Sequence, residues 1–221
     1  MLFYDRHEAG QRLAEALAFL KGRKDVVILA IPRGGVVVGY EVAKALGAPL
    51  DVYITRKIGA PYNPEFAIGA VASDGTIVLD EGTVRALGIS QDYIEAETAR
   101  QREEIQRRLA EYCGERPPPE LKGKTVVLVD DGVATGATIL SALQALRKQE
   151  PGELILAVPV GPPDTIARLK KEADRVVCLD TPEPFWAIGR FYMIFDQTSD
   201  EEVVALLEEL GGTQGNLGQL A

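Results

Sequence analysis

Histidine occurs once among the 221 residues, tryptophan once and cysteine twice. The lone histidine, His7 in the polar segment DRHEAG, argues against a histidine-based catalytic triad or a histidine-rich metal site, and reads as a surface residue. Cys113 and Cys178 lie far apart without CxxC spacing, so they read as two reduced thiols, Cys178 within an apolar strand. No apolar run approaches the ~20 residues of a membrane-spanning helix, and the opening MLFYDRHEAG lacks a signal-peptide pattern. The expectation is a cytoplasmic protein. Positive charge is also scarce: 24 Lys and Arg stand against 33 Asp and Glu, for a net charge of −9. A sequence-independent nucleic-acid coat needs a basic face, so nucleic acid is a disfavoured partner. A small anionic ligand stays open, because a local pocket can be positive on an acidic chain. What is present, 46% hydrophobic and 26% charged residues, suits one globular domain over 1–221 with a real core and a sizeable insertion.

Leu13, Leu17 and Leu20, with Ala9 and Ala16, fall at helical spacing over about 8–21. DVVILAIP (25–32) is a continuous apolar run of the kind buried on both faces of a sheet. PRGG follows, then a helix over 36–47 and a second strand at 50–55. The alternation returns after residue 124: KTVVLV, the helix ATILSALQALRKQ, the strand ELILAVPV, the helix PPDTIARLKKEA and the strand RVVCL. Near the end, Ser199 and Glu202 form a capping box ahead of SDEEVVALLEEL, and the tail GGTQGNLGQLA is expected to fray. Residues 58–123 break the rhythm. They hold a hairpin at 67–80 with Asp74-Gly75 in its turn, and a charged helix over 91–112 anchored by Ile94, Ile105 and Leu109. Strand–helix alternation of this kind predicts an α/β fold: an open parallel sheet of about five strands, helices on both faces, and a hairpin-and-helix insertion between the second and third strands.

Ligands of open parallel sheets bind beyond the carboxyl ends of the strands. The first strand runs into Pro32-Arg33-Gly34-Gly35, the second into Thr55-Arg56-Lys57, and the third into Asp130-Asp131-Gly132-Val133-Ala134-Thr135-Gly136-Ala137-Thr138. A glycine turn opening a helix presents free backbone amides and the positive end of the dipole, and Thr135 and Thr138 can add hydroxyls. That combination describes a phosphate cradle. The two carboxylates ahead of it suit sugar hydroxyls or a hydrated Mg²⁺. The plainer alternative is a solvated acidic turn before an ordinary helix. No Walker A lysine is present, and the acids precede the glycines, so neither a P-loop nor a dinucleotide fingerprint applies.

VVLVDDGVATGAT (126–138) resembles the phosphoribosyl-pyrophosphate (PRPP) motif of the type I phosphoribosyltransferases: four apolar residues, two acids and a loop closing in T-G-x-T. PRGG is similar to their short pyrophosphate loop, and TRKIGAP (55–61) to the strand-end Arg-Lys and mobile loop of adenine-type members. The resemblance covers residues 1–200 and implies an enzyme using PRPP and Mg²⁺, working on a small nitrogenous acceptor, as a homodimer. It implies that Gly132 to Thr138 hold the 5-phosphate, and that Asp130 and Asp131 bind the ribose hydroxyls, with the metal near. It also implies that Arg33, Gly34, Gly35, Arg56 and Lys57 take the pyrophosphate. Taken singly, the three cations could also be surface charges. Members acting on 6-oxopurines carry an acid just before the T-G pair; Ala134 stands there, which disfavours hypoxanthine or guanine. Glu65 matches by position a mobile-loop glutamate that assists adenine-type members. The acceptor hood falls to elements near the N-terminus and to 182–195, where Phe185, Trp186, Phe191 and Tyr192 concentrate the chain's few aromatics. They could stack on a base or cover the sheet edge as satellite core. The competing readings are a non-catalytic PRPP or nucleotide sensor, whose RNA contacts would use arginines at 100–108, and the regulatory fold of PRPP synthetases.

Overall fold

Runs of five to eight β-branched and leucine side chains, bounded by glycine, proline or charge, are too short for buried helices and become the central sheet. The computed structural model describes residues 1–215. Helix α1 (Arg6–Ala16) leads through a 3-10 turn (Ala18–Leu20) to strand β1 (Val26–Ala30), α2 (Gly34–Leu46) and β2 (Leu50–Val52). Next come β3 (Thr55–Ala60), β4 (Asn63–Ala72), β5 (Ile77–Leu79), α3 (Glu81–Ala86) and α4 (Gln91–Cys113). The alternation resumes with β6 (Thr125–Val129), α5 (Ala137–Arg147), β7 (Glu153–Val160), α6 (Pro163–Leu169) and β8 (Arg175–Asp180). A 3-10 turn (Ile188–Phe191) and α7 (Asp200–Gly215) complete the order. Helix α7 begins where expected, with the Glu202 amide donating to Ser199 Oγ at 3.1 Å. It runs into the tail read as frayed; residues 216–221 lie outside the described residues.

Five parallel strands form the main sheet in the order β2-β1-β6-β7-β8, as the alternation predicts. Strand β1 pairs in register with β6, from Val26 opposite Thr125 to Ala30 opposite Val129. Alternate residues of each strand feed opposite cores. Val26, Ile28, Val127 and Val129 pack with α1, α2 and α7, whereas Val27, Leu29, Val126 and Leu128 pack with α5 and α6. So α2 leaves β1 toward one face, and α5 leaves the neighbouring β6 toward the other. The strand order reverses between them, which makes the gap between these two carboxyl ends the topological switch point where ligands of such sheets bind.

The segment between β2 and β6 builds a second sheet, antiparallel, in the order β3-β4-β5. The hairpin at Asp74-Gly75 forms as expected, with Gly75 at φ 85°. The TRKIGAP stretch is a strand rather than a loop. Its Arg-Lys pair and its glycine hide the apolar alternation, and pairing from Thr55 opposite Ala72 to Ala60 opposite Asn63 supplies the regularity instead. Ile58, Ile68, Val84 and Ile94 seal this sheet against α3 and α4, and Tyr93 Oη donates to the Gly59 carbonyl at 2.7 Å. His7 is half-buried beside Glu41, with Nδ1 2.8 Å from Oε1. Both cysteines are free. Among the described residues no helix is long and apolar enough to cross a membrane.

Candidate functional site

The acid pair sits where β6 runs out at the switch point. Its two carboxyls differ in surroundings. The Asp131 amide donates to Asp130 Oδ1 at 2.9 Å, while Asp131 Oδ2 accepts from Arg6 Nε at 2.7 Å. The side chains of Arg6 and Asp131 are 12% and 13% exposed. Burial, followed by the charge of Asp131, holds the Asp130 carboxyl well above the usual carboxylate range. Burial also raises Asp131, against the pull of Arg6. Arg6 is fixed on its other sides by the Asp196 carbonyl, which accepts from Nη1 at 2.6 Å, and by the Phe195 ring, 3.9 Å below its guanidinium.

Two helix N-termini flank this pair. Helix α5 starts at Gly136, held at φ 80°, and no side chain caps it, so its first-turn amides are free for a ligand. Ala134, Thr135, Ala137 and Thr138 are exposed around that turn. The loop's shape is held from behind: Val133 N–H donates to the Val160 carbonyl at 2.9 Å, Thr165 Oγ1 to the Ala134 carbonyl at 2.9 Å, and Arg168 to the Thr135 carbonyl. A Cβ at Gly136 would lie 2.7 Å from Thr165 Cγ2. Gly136→Ala is therefore expected to lower the free energy of urea unfolding by about 1–3 kcal/mol; an unchanged denaturation midpoint would show that the loop relaxes freely. Helix α2 starts from Arg33 without a side-chain cap. Its first residues pack directly under the acids. A Cβ at Gly34 would overlap the Asp131 carboxylate and the Arg6 guanidinium, and one at Gly35 would sit 2.9 Å from Asp130 Oδ1. Only glycine brings this backbone so close.

The remaining expected residues divide into two groups. Arg56, Lys57 and Glu65 stand on the β3–β4 hairpin, where Lys57 Nζ meets Glu65 Oε2 at 2.5 Å. With Thr138 they line a cleft of about 290 Å³. In the 182–195 segment, Phe185 stacks on Phe191 at 5.1 Å, and Trp186 projects into solvent. Tyr192 is buried between Phe3 and Phe195, and its hydroxyl donates to the Asp131 carbonyl at 2.6 Å. Burial and the neighbouring Asp131 charge raise its pKa. Arg33 lies 4.0 Å from Asp200. Arg6, Thr165 and Arg168 carry no sequence signal of their own; each is an ordinary polar residue until the fold sets it beside the loop.

No cluster of three or more His, Cys, Asp or Glu able to cage a metal occurs among the described residues. Two hard carboxylates at one strand end still suit Mg²⁺, which takes one or two protein carboxylates and completes its shell with water and ligand oxygens.

The phosphoribosyl transferase domain model matches residues 3–195. The chain is 48% identical over 207 residues to two Mycobacterium tuberculosis proteins, from strains CDC 1551 / Oshkosh and ATCC 25618 / H37Rv, whose names assign them provisionally to the phosphoribosyl transferases. The match takes in 94% of this chain and 46% of each relative, so the chain spans about half the length of the curated relatives it matches. Among solved structures, TT1426 from Thermus thermophilus superposes at a TM-score of 0.85 with 48% identity, covering 95% of this chain and 99% of that one.

Proposed function

Because the chain belongs to the phosphoribosyl transferase domain family, we propose that it binds PRPP with Mg²⁺ and transfers the 5-phosphoribosyl group to a small nitrogenous acceptor, releasing pyrophosphate. One observation carries this reading. Two uncapped helix N-termini leave adjacent strands toward opposite faces, and a pair of carboxyls lies between them. A ligand that fits must carry an anion at each end and hydroxyls in the middle, and PRPP has that order of groups.

The free amides of α5, with Thr135 and Thr138, take the 5-phosphate. Asp130 and Asp131 accept from the ribose hydroxyls, and Tyr192 and Arg6 hold the second of them in place. The backbone at Arg33-Gly34-Gly35 takes the pyrophosphate at the start of α2, while Arg56 and Lys57 balance the charge it gains on departure. In the reaction the bond from C1 to the pyrophosphate oxygen breaks and its electron pair leaves with the oxygen. The acceptor nitrogen supplies the pair for the new C1–N bond and sheds a proton, which Glu65 on the hairpin receives once Lys57 turns to the phosphate. Mg²⁺, held through Asp130 and Asp131 and ligand oxygens, would draw charge from the leaving group. Preorganised charge and positioning carry most of the acceleration in this scheme. Ala134 leaves no acid just before the Thr135-Gly136 pair, which steers the acceptor away from 6-oxopurines. Phe185, Phe191 and Trp186 offer it stacking surface beside Tyr192.

Calorimetric titration of PRPP, with and without Mg²⁺, tests the donor site. The expected result is Mg²⁺-assisted binding that is lost in Asp130→Asn/Asp131→Asn, and binding indifferent to that double change would sink the proposal. Pyrophosphate release across a panel of nitrogenous bases then names the acceptor. Binding without release for every base tested would point to a sensor.

A further inference from the structure

Helix α4 of the insertion reaches the cleft beside β3. Helix α4 forms one wall of the cleft that Arg56, Lys57 and Thr138 line, and contributes Glu97, Arg100 and Gln101 to it. Gln101 is 9% exposed. Its carbonyl oxygen accepts from Arg56 Nε at 3.0 Å, and its amide nitrogen donates to Glu97 Oε1 at 2.8 Å. Glu97 is itself fixed by Arg100, whose Nε and Nη2 donate to its carboxylate at 3.0 and 2.7 Å. Each partner therefore fixes the next, and the chain of bonds ends at the guanidinium of Arg56.

The anchor on Arg56 is neutral, and that is its consequence. Lys57 is paired with Glu65, and Arg33 lies within ion-pair range of Asp200. Arg56 lines the cleft and has no carboxylate partner among the described residues, and its bond to Gln101 engages only Nε. A carboxylate at position 101 would hold the same geometry but cancel the charge. An amide holds it and leaves the charge available to an anion.

We propose that Gln101 is a positioning residue for the pyrophosphate end of the site, aiming Arg56 at the departing group while leaving its charge intact. The inference rests on the PRPP reading and gives the insertion a part in it. The test titrates the full chain separately with pyrophosphate and with ribose 5-phosphate, both with Mg²⁺, for the wild type, Gln101→Met and Gln101→Glu, with thermal melts to confirm folding. Gln101→Met should weaken pyrophosphate roughly tenfold and leave ribose 5-phosphate within about twofold. Gln101→Glu should weaken pyrophosphate at least as much, although it gives Arg56 a charged partner. Equal loss of both ligands, or loss of neither, would overturn the proposal. Should Gln101→Met not fold, Gln101→Glu and Glu97→Gln decide by the same split between the two ligands. A wild type that binds neither ligand would instead overturn the PRPP reading itself, so the two failures are distinct.

Discussion

Asparagine in place of Asp130 is expected to make the protein more stable at neutral pH and a poorer host for PRPP. The carboxyl lies against the first turn of α2 with the Asp131 charge beside it, and burial is the main reason its pKa is raised in the folded chain. An unfolded aspartate titrates at about 3.9. Between that value and the raised folded one, the folded state keeps a proton that the unfolded state has lost. The wild type therefore has this group's full contribution at low pH and loses it as pH climbs through that window. Asparagine does not titrate, so the variant's advantage opens with rising pH and closes toward pH ~4. At pH 8 a gain of about 1 kcal/mol, or roughly 2–4 °C for a chain of this size, is expected. PRPP affinity should fall at least about tenfold, because a neutral amide cannot reproduce a charged acceptor on the ribose hydroxyls. Melts at pH 5 and pH 8 with a titration at pH 8 check both parts; an advantage equal at the two pH values would contradict the account.

Removal of Arg6 should do the opposite. Its guanidinium is the cation on Asp131, and neither side chain is more than slightly exposed. Taking one partner out of such a pair leaves a buried charge alone, which costs about 3–5 kcal/mol. Arg6→Met should lose that much in urea unfolding at pH 7. In an Asp131→Asn background most of the loss should vanish, since no stranded charge is left. Strict additivity around this four-membered cycle would show that Arg6 acts through its packing on Phe195 rather than through Asp131.

The main sheet and the glycine–threonine loop are legible in the sequence because each is encoded locally. The apolar run at 125–129, the paired acids and the glycine turn are contiguous, and their chemistry follows from their order. The second sheet is half legible. Asp74-Gly75 announces one turn, but β3 owes its regularity to β4, and β5 is three residues long, too short for a period to show. Arg6 and Gln101 are illegible for a different reason. One meets its partner 125 positions away and the other 45, and neither distance leaves a pattern in neighbouring residues. The four aromatics at 185–192 are visible as a group, yet their division into a solvent-facing tryptophan, a stacked pair and a buried tyrosine bonded to the acid strand is a product of packing.

The seat of Arg6 also dictates an order of assembly. Phe3 and Tyr4 bond to the main chain at 191–194, through Phe3 N–H to Phe191 O, Met193 N–H to Phe3 O and Ile194 N–H to Tyr4 O, each at 2.8 Å. Phe3 and Tyr4 thus dock on a segment that emerges after all five parallel strands. Contacts spanning so much chain are slow to form, and a growing polypeptide folds from its start. Until residues 191–196 arrive, Arg6 lacks the Asp196 carbonyl and the Phe195 ring that seat it against Asp131. A nascent chain stalled at β8 would hold every strand of the sheet and still carry an unfinished site.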